Sequence, residues 1–168
     1  MGTVKVIYGS EGGNTAAAAQ RIAARMGGEA LSVAQARPED LAADLLILGA
    51  STWGYGDLQD DWDRHLGLIA SAAGTFPRVA LFGTGDADEH GDTFVDALGI
   101  LWEALAPLGV TLLGTWPTEG YAFAASRALV DGRFVGLPLD EDNQPELSEG
   151  RISAWCAQLQ AEWVASPG

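Results

Sequence analysis

Residues 45–50 read Leu-Leu-Ile-Leu-Gly-Ala, six positions without a polar side chain. A strand with one wet face alternates apolar and polar residues. A strand without alternation must be covered on both faces. Two-sided cover is what a chain supplies when it alternates strands with helices around a parallel sheet. The rest of the chain follows that plan. Short apolar runs at 4–8, 29–33, 78–82 and 110–115 predict four more strands. An alanine-rich helix is predicted over 16–26, stopped by Gly27-Gly28. A second, over 61–73, places Trp62, Leu66 and Ile69 on one face, and a third, over 94–108, turns Leu98, Leu101, Trp102 and Leu105 inward. A last helix, capped by Ser148 and running to about residue 164, carries Ile152, Trp155, Leu159 and Trp163 toward the core. Residues 38–41 read as a short turn or helical piece. Residues 116–145 break the alternation, and 133–137 suit an added strand. The expectation is an α/β fold: a doubly wound, five-stranded parallel sheet with helices on both faces, one domain over residues 1–168.

Three loops leave the carboxyl ends of these strands, where ligands bind in sheets of this kind. The first is Gly9-Ser10-Glu11-Gly12-Gly13-Asn14-Thr15. A helix N-terminus offers unpaired N–H groups and a positive dipole end, and Ser10, Asn14 and Thr15 add side-chain donors. The loop has no Lys for a G-x-x-x-x-G-K-[ST] motif and lacks the glycine spacing of G-x-G-x-x-G. A single phosphate monoester suits it better than a triphosphate or dinucleotide. The second loop is Ser51-Thr52-Trp53-Gly54-Tyr55-Gly56-Asp57, and the third runs from Gly83-Thr84-Gly85-Asp86 to Asp92.

Charge narrows the partners. Lys and Arg number 9 against 23 Asp and Glu, a net charge of −14. Nucleic-acid binding depends on basic residues neutralising phosphates, so that class is excluded. With 48% hydrophobic and 19% charged residues the chain has the composition of a folded domain. No apolar run reaches the roughly 18 residues of a membrane span. The N-terminus shows no signal-peptide pattern, and Cys156 is the only cysteine, so no disulfide framework or cysteine zinc cluster is expected. A cytoplasmic location follows by default.

Along essentially its whole length the chain resembles the long-chain flavodoxins. Residues 10–15 are similar to that family's phosphate loop, with Gly12 where Thr is usual. Residues 51–62 are similar to the loop whose Trp stacks on the flavin, and 82–86 with 92–97 to the second flavin loop. Residues 133–144 resemble the insertion that distinguishes long-chain members. The resemblance implies sheet order 2-1-3-4-5, an insertion in the fifth strand, and non-covalently bound FMN. It implies a low-potential one-electron carrier working through the semiquinone/hydroquinone couple, not an enzyme. FMN would contact Ser10, Glu11, Gly12, Gly13, Asn14 and Thr15; Ser51, Thr52, Trp53, Gly54, Tyr55 and Gly56; and Gly83, Thr84, Gly85, Asp86, His90 and Asp92. Trp53 would lie on one face of the ring. His90 takes the second stacking position, where Tyr is common, and would place a titratable group on the flavin. Gly54 would let the peptide after the stacking Trp turn over toward flavin N5.

Asp57, Asp60, Asp61 and Asp63 follow one flavin loop, and Asp86, Asp88, Glu89 and Asp92 populate the other. Such a field disfavours the second electron and orients basic partners over the flavin edge. The implied partners are the basic docking faces of redox proteins: a flavodoxin or ferredoxin reductase as donor, and nitrogenase reductase or another low-potential acceptor. The carrier would act as a monomer. Asp140-Glu141-Asp142 reads as a solvated loop, His65 as exposed and Cys156 as packing. An FMN-dependent quinone reductase of the same fold is the alternative; it would need a substrate pocket over the flavin. A phosphoacceptor receiver domain is excluded, since Gly9-Ser10, Ser51-Thr52 and Thr115-Trp116 stand where its acids and Lys would be.

Overall fold

The computed structural model describes residues 2–9, 13–53, 57–87 and 91–166, with Trp53, Asp57 and Leu58 described by backbone alone. Strands β1 (Val4–Gly9), β2 (Glu29–Ser32), β3 (Leu45–Trp53) and β5 (Arg78–Thr84) form a parallel sheet in the order β2-β1-β3-β5. Beyond β5 the edge is shared by two short segments, β6 (Thr111–Leu112) and β9 (Leu137–Leu139), both parallel to it. Counting that edge as one strand, the parallel order is the expected 2-1-3-4-5.

The unalternating run 45–50 is buried on both faces. Leu45 and Ile47 join one core with β1, α1 (Asn14–Met26) and α5 (Pro145–Ala165). Leu46, Leu48 and Ala50 join the other with Trp62, Ile69, Phe76 and the apolar face of α4 (Asp96–Leu105). In α1, Thr15, Ala18, Ala19, Ile22 and Ala23 face inward. Their small side chains let the helix lie close to the sheet. Gly49 sits in register with Phe82, and a Cβ there would fall 2.0 Å from the Phe82 ring, so the missing side chain is what seats that ring.

Several elements differ from expectation. The helix expected over 61–73 is two pieces, α2 (Asp60–His65) and α3 (Gly67–Ser71), separated at Leu66. The fourth helix begins at Asp96, because Val95 takes a left-handed conformation (φ 48°), and it ends in a 3₁₀ turn over Ala106–Leu108. Ser148 caps nothing: α5 starts at Pro145, a residue suited to a first helical turn, and buries Ser148 within it.

The fifth strand is not continuous over 110–115. Leu113 N–H still donates to Val79 O (2.8 Å), but Gly114 (φ 78°) then turns the chain off the sheet. The turn is held by Gly114 N–H to Glu162 Oε1 (2.7 Å) and Trp155 Nε1–H to Gly114 O (2.8 Å). Residues 113–136 form an excursion, so the departure from the sheet begins well before 133. The excursion contains the antiparallel pair β7 (Leu129–Val130) and β8 (Arg133–Phe134), and its Tyr121, Phe123 and Phe134 pack with Phe94 at centroid distances from 5.6 to 6.0 Å. Among the described residues no helix is long and apolar enough to cross a membrane.

Candidate functional site

The carboxyl ends of β1, β3 and β5 stand side by side, with Gly9 opposite Ala50 and Ser51 opposite Thr84. The three loops singled out in the sequence therefore leave one edge. Of the expected site residues, Ser10, Glu11, Gly12, Gly54, Tyr55, Gly56 and His90 lie outside the described residues, as does the Trp53 side chain.

The turn into α1 is capped by Gly13 at φ 88°, and a Cβ there would meet nothing within 4 Å, so conformation rather than space selects glycine. Asn14 is exposed at the first position of α1. Thr15 is 1% exposed, and its hydroxyl lies 2.9 Å from that of Thr84, the last residue of β5. This bond joins the start of α1 to the third loop across 69 residues of chain. Ser51 extends the same edge, and its Oγ is buried without a partner among the described residues.

The second loop is a hairpin. Strand β4 (Asp57–Leu58) pairs antiparallel with the end of β3, Thr52 opposite Leu58 and Trp53 opposite Asp57. Thr52 Oγ1 accepts the Ala97 N–H (2.9 Å), so it also caps α4 from a distance. Gln59, fully buried, ends the hairpin: its Oε1 accepts Asp61 N–H (3.0 Å) and Trp62 N–H (3.3 Å), capping α2. Gly9 passes so close that a Cβ would lie 2.4 Å from Gln59 Oε1. Gln59 Nε2 is buried without a partner among the described residues. Sequence reasoning misses Gln59, although a Gln directly before Asp60-Asp61 is a cap-like signal. Trp62 sends Nε1–H to Gly49 O (2.7 Å), locking α2 onto β3.

In the third loop the glycines serve packing. A Cβ on Gly83 would meet Leu98 at 2.9 Å, and one on Gly85 would meet Val95 at 3.0 Å. Asp86 is half-buried, with Oδ1 accepting from Asn143 Nδ2 (2.8 Å), and Asp92 is exposed. Thr93 Oγ1 is a further buried hydroxyl without a partner among the described residues.

Two residues expected at the surface lie elsewhere. Asp140 is not in a solvated loop: it is 1% exposed and fully hydrogen-bonded, because backbone N–H groups, one of them from a distant loop, reach it. His65 is half-buried, its Nδ1 2.8 Å from Asp61 O. Near Asp140, partial burial raises the Asp142 carboxyl above its ordinary value, with Asp86 and Asp140 adding to the effect. Acidic charge is thus concentrated beside the third loop, while Lys5 pairs with Glu29, Arg21 and Arg25 with Glu149, and Arg127 with Glu103.

This edge offers one phosphate-sized helix terminus, a row of hydroxyls and a buried amide donor. Buried polar atoms without partners are uncommon in folded chains. Among the described residues, Ser51 Oγ, Gln59 Nε2 and Thr93 Oγ1 are buried without a hydrogen-bond partner, in or beside these loops.

Comparison with known proteins gives consistent results. A family model described as Flavodoxin matches residues 6–155. The chain is 41% identical over 167 residues to a flavodoxin of Haemophilus influenzae, covering 96% of each. It is 41% identical over 168 residues to one of Synechococcus elongatus, covering 97% of this chain and 99% of the relative. Among solved structures, Fusobacterium nucleatum flavodoxin bound to flavin mononucleotide superposes with a TM-score of 0.89 at 25% identity, covering 96% of this chain and 99% of the other.

Proposed function

Because the chain belongs to the flavodoxin family, we propose that it is a one-electron carrier working through non-covalently bound FMN, and we assign the cofactor to the edge formed by β1, β3 and β5. When bound, FMN supplies the one-electron chemistry; the residues bind, orient and tune it. The observation that carries the proposal is the convergence of the Gly13-capped helix, the β3–β4 hairpin and the loop after β5, with hydroxyls left free at the same edge.

The donor set fits the cofactor. The N-terminus of α1 and the hydroxyls of Thr15 and Ser51 suit the phosphate and need no Lys. A cation there would also ease addition of the second electron, which a low-potential carrier must resist. Residues 10–15 would hold the phosphate. The hairpin, with Trp53 to Gly56, and the loop with Thr84 to Asp92 would flank the ring. Asp60 and Asp63 are exposed in the first turn of α2 and, with Asp86 and Asp92, set a negative field at the two ring loops. That field favours the basic faces of redox proteins, such as a flavodoxin or ferredoxin reductase on the donor side and a low-potential acceptor such as nitrogenase reductase on the other.

The visible spectrum of the purified protein is the direct test. Flavin absorption that is released on denaturation as FMN is expected; a purified or FMN-reconstituted protein without flavin absorption refutes the proposal. Transfer rates to a basic reductase should fall steeply as salt rises from about 0.01 M, where the Debye length is about 30 Å, to about 1 M, where it is about 3 Å.

A further inference from the structure

Asp140 follows β9, and its two carboxylate oxygens do different things. Oδ1 accepts Asn143 N–H (3.1 Å), closing a local turn that Gln144 N–H to Asp140 O (2.7 Å) completes. Oδ2 reaches 53 residues back along the chain to accept Ala87 N–H (3.1 Å). The Asn143 amide nitrogen lies 3.0 Å from both oxygens and bridges to Asp86 Oδ1. The turn needs only one oxygen; the second is spent on the loop after β5.

The backbone shows why that bond matters. The β5–β9 ladder extends one residue past its last pair through Gly85 N–H to Leu139 O (3.1 Å). There it stops, and the Asp140 side chain takes the next available N–H. Ala87 packs against the core that holds Phe94 and Val95, and it also lines a cavity of about 310 Å³ shared with Ala122, Asp140, Asn143 and Gln144. The far end of the loop is tied separately: Gly91 O accepts N–H groups from Ala124 (2.7 Å) and Ala125 (3.0 Å).

A carboxylate is a poor choice here for stability alone. It is 1% exposed, no ion pair reaches it among the described residues, and Asp86 and Asp142 stand nearby. Burying such a charge is unfavourable unless its hydrogen bonds are complete. An Asn would carry no charge, but its NH₂ group accepts nothing, so it would satisfy only one side. Two accepting oxygens on a short side chain are what the position requires.

We propose that Asp140 is a positioning residue for the second flavin loop, holding the Gly85–Ala87 stretch against the ring half of the FMN site and leaving the phosphate half to α1. The proposal rests on the FMN reading above.

The test uses the full-length apoprotein and its Asp140→Asn variant, titrated with FMN, with riboflavin and with inorganic phosphate. Loss of a hydrogen bond to a charged acceptor should weaken riboflavin and FMN alike by about tenfold. Phosphate affinity should stay within about twofold of wild type. Unchanged riboflavin affinity overturns the proposal, and so does an equal loss for phosphate, which would mark general loosening of the fold. A wild-type apoprotein that binds neither flavin defeats the FMN reading itself and the proposal with it. Hydrogen exchange on the wild-type apoprotein supplies a measurement that needs no variant: the Ala87 amide should be protected, and exchange at the rate of an open loop overturns the proposal.

Discussion

Thr15 and Thr84 give the most incisive test of how the phosphate end is built. Their hydroxyls are 2.9 Å apart, at 1% and 7% exposure. Thr84→Val keeps shape and volume but leaves the Thr15 hydroxyl buried without that partner. Such an orphan costs about 1–3 kcal/mol, and Thr15→Val should cost a similar amount from the other side. The double variant removes both hydroxyls and should lose less than the sum of the singles, by about 1–2 kcal/mol. Urea unfolding of the four apoproteins measures the cycle; single-variant losses that add to within about 0.5 kcal/mol refute the pairing. The same orphan gives a signed binding prediction. In apo Thr84→Val the Thr15 hydroxyl has lost its partner, and a phosphate oxygen at the α1 terminus would accept from it. FMN affinity should therefore hold or tighten, by up to about tenfold for 1.4 kcal/mol regained, although the apoprotein is less stable. Riboflavin has no phosphate to restore that partner, so its affinity should not tighten. A Thr84→Val apoprotein that binds FMN more weakly with riboflavin unchanged would falsify this role for Thr15.

Three further outcomes follow from the packing. Gly114→Ala forces a Cβ residue to φ 78° and places it 2.6 Å from Trp155 Nε1, so equilibrium unfolding should show a loss of about 2–4 kcal/mol. The Arg127 guanidinium holds Glu103 through Nε and Nη2 and pulls its carboxyl below the ordinary glutamate value. A depressed carboxylate stabilises the fold above its unfolded pKa, and that stability is lost as pH falls through the folded one. Glu103→Gln should thus cost at most about 1 kcal/mol at pH 7, since the pair is exposed, and nothing once the pH is below both values; a difference that persists in acid would contradict the ion-pair origin. Burial raises the Cys156 thiol to about 11, so an aromatic disulfide reagent at pH 8 should label it only as fast as the protein unfolds, and rapid labelling of the native state would contradict its buried position.

Legibility from sequence tracks how local each cause is. The run 45–50 announces two-sided burial because absence of alternation is a local property, and it sits in both cores. The capping glycines Gly13 and Gly27 stop where short-range turn chemistry says they should. Ser148 misleads because it has the chemistry of a cap, whereas Pro145 is the better signal for a first turn. Val95 in a left-handed conformation has no signal at all, since a β-branched residue disfavours it. At the site, the three loops are legible as loops. The contacts that unite them are not: Thr15 to Thr84, Thr52 to Ala97 and Asp140 to Ala87 span 69, 45 and 53 residues. Asp140 reads as wet because nothing adjacent in sequence reveals that a distant amide has come to meet it.

The divided edge of the sheet has one more consequence. Opposite Val79 and Phe82, three steps apart on β5, stand Leu112 and Leu137. An unbroken strand would join those two leucines with two residues, where this chain has 113–136. The register therefore has two solutions, one with the short link and one with the long, and the end of β5 at Thr84 is the same in both. Because closure entropy grows only as the logarithm of length, by about 0.6 kcal/mol per doubling, this junction is a slot at which chain can be added or removed while the sheet stays in phase. What the longer solution adds is a second attachment for the far end of the loop after β5, at Ala124 and Ala125, which a two-residue link has no atoms to provide.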